Sequence, residues 1–174
     1  NLDGQDPPFE SNSGMGRVAS MSSELPTATG KSSFARVEDT WYVACLSKSL
    51  KRTPQVFSLY GQPIVLFRSS DGQPAALLDR CSHRNVPLSL GQVIGSGLEC
   101  KYHGWCFDAA GRCQRVPALV GTANVPSRKV PSWAVTEQQG LVWIYGRPDV
   151  EPTTQPYRFP ALDEKGYFTV YDVL

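Results

Sequence analysis

Two short segments of the chain each combine one cysteine with one histidine. Cys81 and His83 are separated by one residue, Cys100 and His103 by two, and sixteen residues lie between the two pairs. The chain contains only two histidines, and both belong to these pairs. Two thiolates on one iron and two imidazoles on the other form the ligand set of a mixed-ligand [2Fe–2S] cluster. The spacing therefore predicts that these four side chains bind such a cluster.

The residues next to the pairs suit two tight loops around a metal centre. Pro87 fixes φ in the first loop and so stiffens it. Gly104, directly after His103, allows the backbone to turn closely beneath the centre. Trp105 follows with a large apolar ring that can shield the site from water, and such shielding influences the reduction potential.

Two alternatives to a cluster remain open at this stage. A structural zinc site also uses two cysteines and two histidines. Zinc fingers, however, group Cys with Cys and His with His, whereas each pair here is mixed. The other alternative is four unrelated buried residues, which requires two matched pairs to arise by chance. The mixed pairs favour the iron–sulfur cluster over both.

The sequence around the pairs resembles the N-terminal domain of the Rieske non-haem iron oxygenases. The residues that carry the resemblance are Cys81, His83, Arg84, Pro87, Leu88, Ser89, Gly91, Cys100, Tyr102, His103, Gly104, Trp105, Phe107, Asp108 and Gly111. It extends upstream to Trp41–Ala44 and downstream to Gly140–Trp143, and it covers roughly residues 36–165. The resemblance implies a Rieske-type [2Fe–2S] cluster held by Cys81, His83, Cys100 and His103.

The resemblance also implies two protein partners. A ferredoxin or flavin reductase would donate an electron, and a mononuclear iron domain, either a missing part or a neighbouring subunit, would accept it. That iron needs two histidines and a carboxylate, and the cluster uses both histidines of this chain. We therefore expect an electron-entry domain whose catalytic iron domain is absent. The alternative is a stand-alone Rieske ferredoxin-like electron carrier, which the length of 174 residues favours.

Four residues are expected to surround the ligands: Arg84, Tyr102, Gly104 and Trp105. Arg84 could bind a partner's carboxylate or be a solvated charge, and Tyr102 could form a hydrogen bond near the cluster or only pack. Where this family usually has Gly-Ala, the chain has Asn85 and Val86. Asn tolerates a left-handed φ, so the first loop should still close.

Rieske proteins of respiratory chains differ from this chain at three positions. They have an extra cysteine in each loop, where Val86 and Tyr102 stand here, and a serine that donates a hydrogen bond to sulfide, where Trp105 stands. Fewer hydrogen bonds to sulfur lower the reduction potential. The differences predict a low-potential centre in a reducing compartment, and we expect a cytoplasmic location.

Composition limits the possible partners, the location and the fold class of the protein. A net charge of +1 gives no reason to expect nucleic acid as a partner. No apolar run reaches the roughly 18–20 residues of a membrane-spanning helix, and no signal peptide is visible in the first twenty residues. Fourteen prolines and fifteen glycines favour short strands joined by turns. The fold class expected is all-β, an antiparallel Rieske sandwich with a small inserted cluster-binding subdomain from about Asp79 to Val116.

Residue patterns along the chain divide it into three parts. Residues 1–33 are expected to be a disordered tail or a cloning remnant, residues 34–150 the Rieske domain, and residues 151–174 a linker and the start of a missing catalytic domain, with a strand over 166–174. Strands are predicted at 40–45, 55–60, 64–69, 75–79, 98–100, 105–108, 112–115, 133–138 and 141–145. The segment Val93–Leu98, with Gly95 and Gly97, is predicted to be a turn.

Overall fold

The computed structural model describes residues 36–164, which form ten β-strands joined by turns and four short 3₁₀ segments. The strands are β1 (Trp41–Leu46), β2 (Gln55–Leu59), β3 (Gln62–Arg68), β4 (Pro74–Leu78), β5 (Gln92–Ile94), β6 (Gly97–Glu99), β7 (Cys106–Phe107), β8 (Cys113–Arg115), β9 (Ser132–Gln138) and β10 (Leu141–Pro148). No α-helix occurs in this part of the chain, and the predicted all-β fold is confirmed. The tail predicted over 1–33 and the strand predicted over 166–174 lie outside the described residues.

Six strands form one antiparallel sheet in the order β1-β10-β9-β4-β3-β2. The sheet curls until its two edges approach each other. Tyr42 of β1 and Tyr60, directly after β2, meet through their hydroxyl groups at 2.7 Å. Both hydroxyls also lie within hydrogen-bond distance of the carbonyl oxygen of Val37, at 2.7 Å for Tyr42 and 2.8 Å for Tyr60. The segment that enters β1 is thereby fixed to both edges of the sheet.

The other four strands form a small antiparallel sheet in the order β5-β6-β7-β8, within the predicted cluster-binding subdomain. The prediction of a turn over Val93–Leu98 is wrong in its extent, because β5 and β6 form a hairpin there. Gly95 is in the turn, with φ +57°. Gly97 is in strand β6, where a Cβ would lie 2.7 Å from the carbonyl oxygen of Phe107. Gly97 therefore allows close strand packing rather than a turn.

Strand β3 is buried on both faces and separates two hydrophobic cores. Val65 and Phe67 face the core shared with the small sheet, whereas Ile64 and Leu66 face the core inside the curled sheet. Side chains of a strand alternate between its faces, so four consecutive apolar residues supply both cores. Cys81 and Cys100 belong to the first core, which connects the predicted site to the large sheet.

Arg68 at the end of β3 fastens several loops to the large sheet. Its guanidinium donates to the carbonyl oxygens of Leu50, Gly72 and Ser47 at 3.1, 2.6 and 3.0 Å. It also makes a two-pronged contact with the carboxylate of Glu137 on β9, at 2.6 and 3.1 Å. The hydrogen bond from Arg68 is the main reason that the pKa of Glu137 lies below its ordinary value. The planar fork of arginine suits this set of acceptors.

We expect Glu137→Gln to lower the free energy of unfolding by about 1 kcal/mol at pH 7, since a partly exposed charged pair contributes little more. A carboxylate whose folded-state pKa is depressed stabilises the protein above its unfolded-state pKa of about 4.3. This contribution is lost as the pH falls through the lower folded-state value. The difference between wild type and variant should therefore decrease as the pH is lowered below about 4.3 in denaturant titrations.

The exposed Glu151 provides the control, because Glu151→Gln removes the same charge outside this network. It should leave the free energy of unfolding unchanged at pH 7 and at pH 3. An equal difference between Glu137→Gln and wild type at pH 7 and pH 3 would contradict the assigned role of the Arg68–Glu137 pair.

Candidate metal centre

The two predicted ligand loops leave strands of different sheets. Strand β4 of the large sheet ends at Leu78 and leads into Cys81, and strand β6 of the small sheet ends at Glu99 and leads directly into Cys100. Both cysteines are only 2% exposed and contact the core between the sheets. The site is thus placed where the small sheet packs on the large one.

Both loops are closed by the same pair of backbone hydrogen bonds. In the first, Cys81 N–H donates to Val86 O at 2.9 Å, and Asn85 N–H donates to Cys81 O at 2.8 Å. In the second, Cys100 N–H donates to Trp105 O at 2.8 Å, and Gly104 N–H donates to Cys100 O at 3.0 Å. The two loops therefore have equivalent frames, each starting at its cysteine.

The fourth residue after each cysteine adopts a left-handed conformation. Asn85 has φ +57° and Gly104 has φ +68°. The expectation that Asn85 tolerates this conformation is confirmed, and the first loop closes without a glycine. A Cβ at Gly104 would also lie 3.1 Å from Cγ of Pro117. Glycine is therefore favoured at this position by both backbone conformation and packing.

The thiols of Cys81 and Cys100 lie next to each other at the bottom of the loops. Burial, followed by the adjoining Cys100 side chain, raises the pKa of Cys81 to about 11. A thiolate is disfavoured in such an environment unless a metal ion compensates its charge. Two adjacent buried thiols are a suitable donor pair for one iron of an iron–sulfur cluster.

The imidazoles of His83 and His103 lie further out, and their Nδ1 atoms face each other at 3.1 Å. Since metal–nitrogen bonds are about 2 Å long, two nitrogens at this separation can bind the same ion. Partial burial, then the neighbouring His103 and Arg84, lowers the pKa of His83. A lowered pKa favours the neutral imidazole that a metal requires. The donor set, two thiols below and two imidazoles above, fits a Rieske-type cluster.

The four predicted neighbours of the ligands take different positions. The ring of Trp105 stacks on that of His83 with centroids 4.7 Å apart and an interplanar angle of 1°. Tyr102 lies against His103 at 3.8 Å between centroids, and its side chain is 60% exposed. Arg84 is exposed beside His83, close enough to influence its pKa. Gly104 forms the turn of the second loop.

Sequence reasoning missed a buried carboxylate that holds the first loop. Asp79, two residues before Cys81, is 5% exposed and accepts hydrogen bonds from the backbone N–H and the hydroxyl of Ser89, both at 2.7 Å. Asp79 N–H in turn donates to Pro63 O at 3.0 Å. These bonds tie the two ends of the first loop together and to the start of β3. An Asp at a strand end, ten residues before a Ser, is too common a pattern to be noticed.

The fold and the paired donors define the class of the protein. Residues 40–133 match the model of the Rieske [2Fe-2S] domain, which is more than half of the chain. The chain therefore belongs to the Rieske [2Fe-2S] domain family, whose members carry a Rieske-type cluster. This result decides against the zinc alternative. It also confirms the resemblance found in the sequence.

The relatives include oxygenase components. The chain is 41% identical over 109 residues to the oxygenase component of dicamba O-demethylase from Stenotrophomonas maltophilia, covering 63% of this chain and 32% of the relative. It is 33% identical over 137 residues to the chloroplastic protein TIC 55 of Arabidopsis thaliana, covering 76% and 25%. A crystal structure of dicamba monooxygenase bound to dicamba superposes with a TM-score of 0.66 at 36% identity, covering 76% and 40%. The chain spans less than half the length of each of these proteins.

We expect Asp79→Asn to weaken the first loop, because the neutral amide replaces the two hydrogen bonds to a charged carboxylate by weaker neutral ones. A hydrogen bond to a charged group contributes about 1.5–3 kcal/mol, compared with about 1 kcal/mol for a neutral pair. The variant should unfold at a lower denaturant concentration and bind less iron per chain than wild type. Asp163→Asn, at an exposed ion pair with Arg158, is the control and should match wild type in both measurements. Full iron content and unchanged stability in Asp79→Asn would refute the role of Asp79.

Proposed function

We propose that Cys81 and Cys100 hold one iron of the Rieske cluster and that His83 and His103 hold the other. The equivalent loop frames, the adjacent buried thiols and the facing Nδ1 atoms support this assignment. When bound, a Rieske [2Fe–2S] cluster supplies a one-electron redox centre. The chain's own residues orient this centre, exclude water from its sulfur side and expose its imidazole side.

We further propose that this domain accepts an electron from a ferredoxin or flavin reductase and passes it to a mononuclear iron domain of an oxygenase. The observation that carries the proposal is the polarity of the site. The two cysteines are 2% exposed, whereas His103 is exposed and His83 is half-buried. The shortest path for an electron between the proposed cluster and a partner at the surface of the domain therefore runs through the imidazole side. Similarity to an oxygenase component supports the choice of acceptor.

A reducing compartment, with the cytoplasm as our proposal, is consistent with this function. None of the five cysteines, all of which lie within the described residues, forms a disulfide, and three of them lie outside the proposed ligand set: Cys45, Cys106 and Cys113. Burial raises the pKa of each of these three thiols, which makes them weak nucleophiles. Within residues 36–164, no helix is long and apolar enough to cross a membrane.

The ligand assignment predicts which variants lose the cluster. Cys81→Ser and Cys100→Ser should each abolish binding of iron and acid-labile sulfide, together with the visible absorption and the EPR signal of the reduced protein. Cys106→Ser is the matched control, because Cys106 lies in strand β7 outside both loops. It should keep the full iron content and accept one electron per chain from dithionite. A cluster retained in Cys81→Ser would contradict the assignment.

The surroundings of the ligands predict a low reduction potential. Rieske centres range from about −150 to +300 mV, and hydrogen bonds to sulfur raise the value. Trp105 stands where respiratory-chain Rieske proteins have a serine whose hydroxyl donates a hydrogen bond to sulfide. Trp105 has no hydroxyl group, and its ring packs on His83 instead. A dye-mediated redox titration should therefore give a midpoint below 0 mV, in the lower part of that range. A midpoint well above zero would refute the prediction.

A further inference from the structure

The connection between β8 and β9 contacts both ligand loops. We refer to residues 117–131 as the crossing loop; the sequence indicated only an irregular segment there. At one end, Pro117 packs against Gly104 of the second ligand loop. Near the other end, Ser82 in the first ligand loop donates its hydroxyl hydrogen to Arg128 O at 2.7 Å. The crossing loop thus bridges the two ligand loops from one side.

Arg128 extends from the crossing loop toward the stacked pair of rings. The carbon at the centre of its guanidinium lies 5.8 Å from the centroid of the Trp105 ring. Trp105 is parallel to the ring of His83 at 4.7 Å. The indole therefore contacts both the guanidinium of Arg128 and the imidazole of His83. A cation within about 6 Å of an indole ring is attracted to it.

The guanidinium of Arg128 is held by carbonyl oxygens rather than by a carboxylate. Its Nη1 donates to Thr122 O at 2.9 Å and to Ala123 O at 3.3 Å. None of the ion pairs found within residues 36–164 involves Arg128. Its positive charge is therefore fixed in place but not neutralised by an acidic side chain. Lys129, the next residue, is instead paired with Asp149 at 2.6 Å.

We propose that Arg128 is a positioning residue that holds Trp105 flat against His83 and supplies a positive charge that favours the reduced state. The inference rests on the proposed function, because it requires His83 to be a ligand. Trp105 contacts both the ring of His83 and the guanidinium of Arg128, so loss of the guanidinium removes one of the contacts that hold the indole against His83. Arginine suits this role because its planar group stacks on aromatic faces and stays charged.

The charge should act on the midpoint potential in a known direction. Reduction adds one electron, and with it one negative charge, while no bond is made or broken. A nearby cation stabilises the added charge and so raises the potential. Arg128 is half-buried, so salt should screen its effect only in part. Loss of the charge should lower the potential, and loss of the planar contact should change the environment of the His83 ring.

Three variants of the full chain separate these contributions. Arg128→Met removes the charge and the planar group while keeping a long side chain. Arg128→Lys keeps the charge but not the planar fork. Lys129→Met removes one charge from the adjacent position, whose side chain contacts Asp149 instead of Trp105. Each protein is compared with wild type at equal iron content, by redox titration and by EPR of the reduced state.

We expect Arg128→Met to lower the midpoint potential and shift the EPR g values, while Lys129→Met matches wild type in both. Arg128→Lys should recover the potential but keep shifted g values. If Arg128→Met does not retain the cluster, Arg128→Lys tests the positioning role by itself, because that variant keeps the charge and loses only the planar group. Shifted g values in Arg128→Lys would then support the role, and unchanged g values would contradict it. The inference would be overturned if the Arg128 variants had the same potential and the same g values as wild type. If only the potential changed and the g values did not, the positioning role would be overturned. Wild-type protein without a cluster would instead refute the proposed function.

Discussion

The structure depends on the burial of two cysteines in the core that the two sheets share. Cys81 and Cys100 pack with Val65 and Phe67 of strand β3, so the same contacts hold the small sheet and the donor atoms in place. Thiols are tolerated in such a core because free cysteine behaves as a small apolar side chain. Once the thiols point inward, the histidines two and three residues later are carried to the outside. This one packing constraint therefore produces a donor set whose sulfur side is buried and whose nitrogen side is more exposed to solvent.

The two ligand loops solve the same geometric problem with different residues. Each closes by a hydrogen bond from the N–H four residues after its cysteine, and each has a positive φ at that residue. In the second loop this residue is Gly104, directly after the histidine. In the first it is Asn85, two residues after His83, where an asparagine is tolerated. The spacing of Cys and His can therefore differ by one residue while the frame of the loop stays the same.

Much of the fold and of the site could be predicted from local patterns. The mixed Cys/His pairs indicated the donor set, and β-branched and aromatic runs indicated strands such as β3 and β10, since both signals lie within a few residues of sequence. Gly97 was misinterpreted because a glycine required by a neighbouring strand has the same sequence signal as a glycine in a turn. Whether Asp79 pairs with Ser89 depends on the closure of the whole first loop. The contact between Ser82 and Arg128 joins residues 46 apart, so only the folded chain brings them together.

The two imidazoles are not equivalent, although they face each other. His83 is half-buried, is covered on one face by Trp105, and reaches the crossing loop through that ring. His103 is exposed, and Tyr102, which lies against it, is exposed as well. A partner that binds at the imidazole side, as proposed above, would contact His103 and Tyr102, whereas the environment of His83 is set by the packing of Trp105. The His103 side of the site is therefore open to solvent, and the His83 side is covered by side chains of the domain itself.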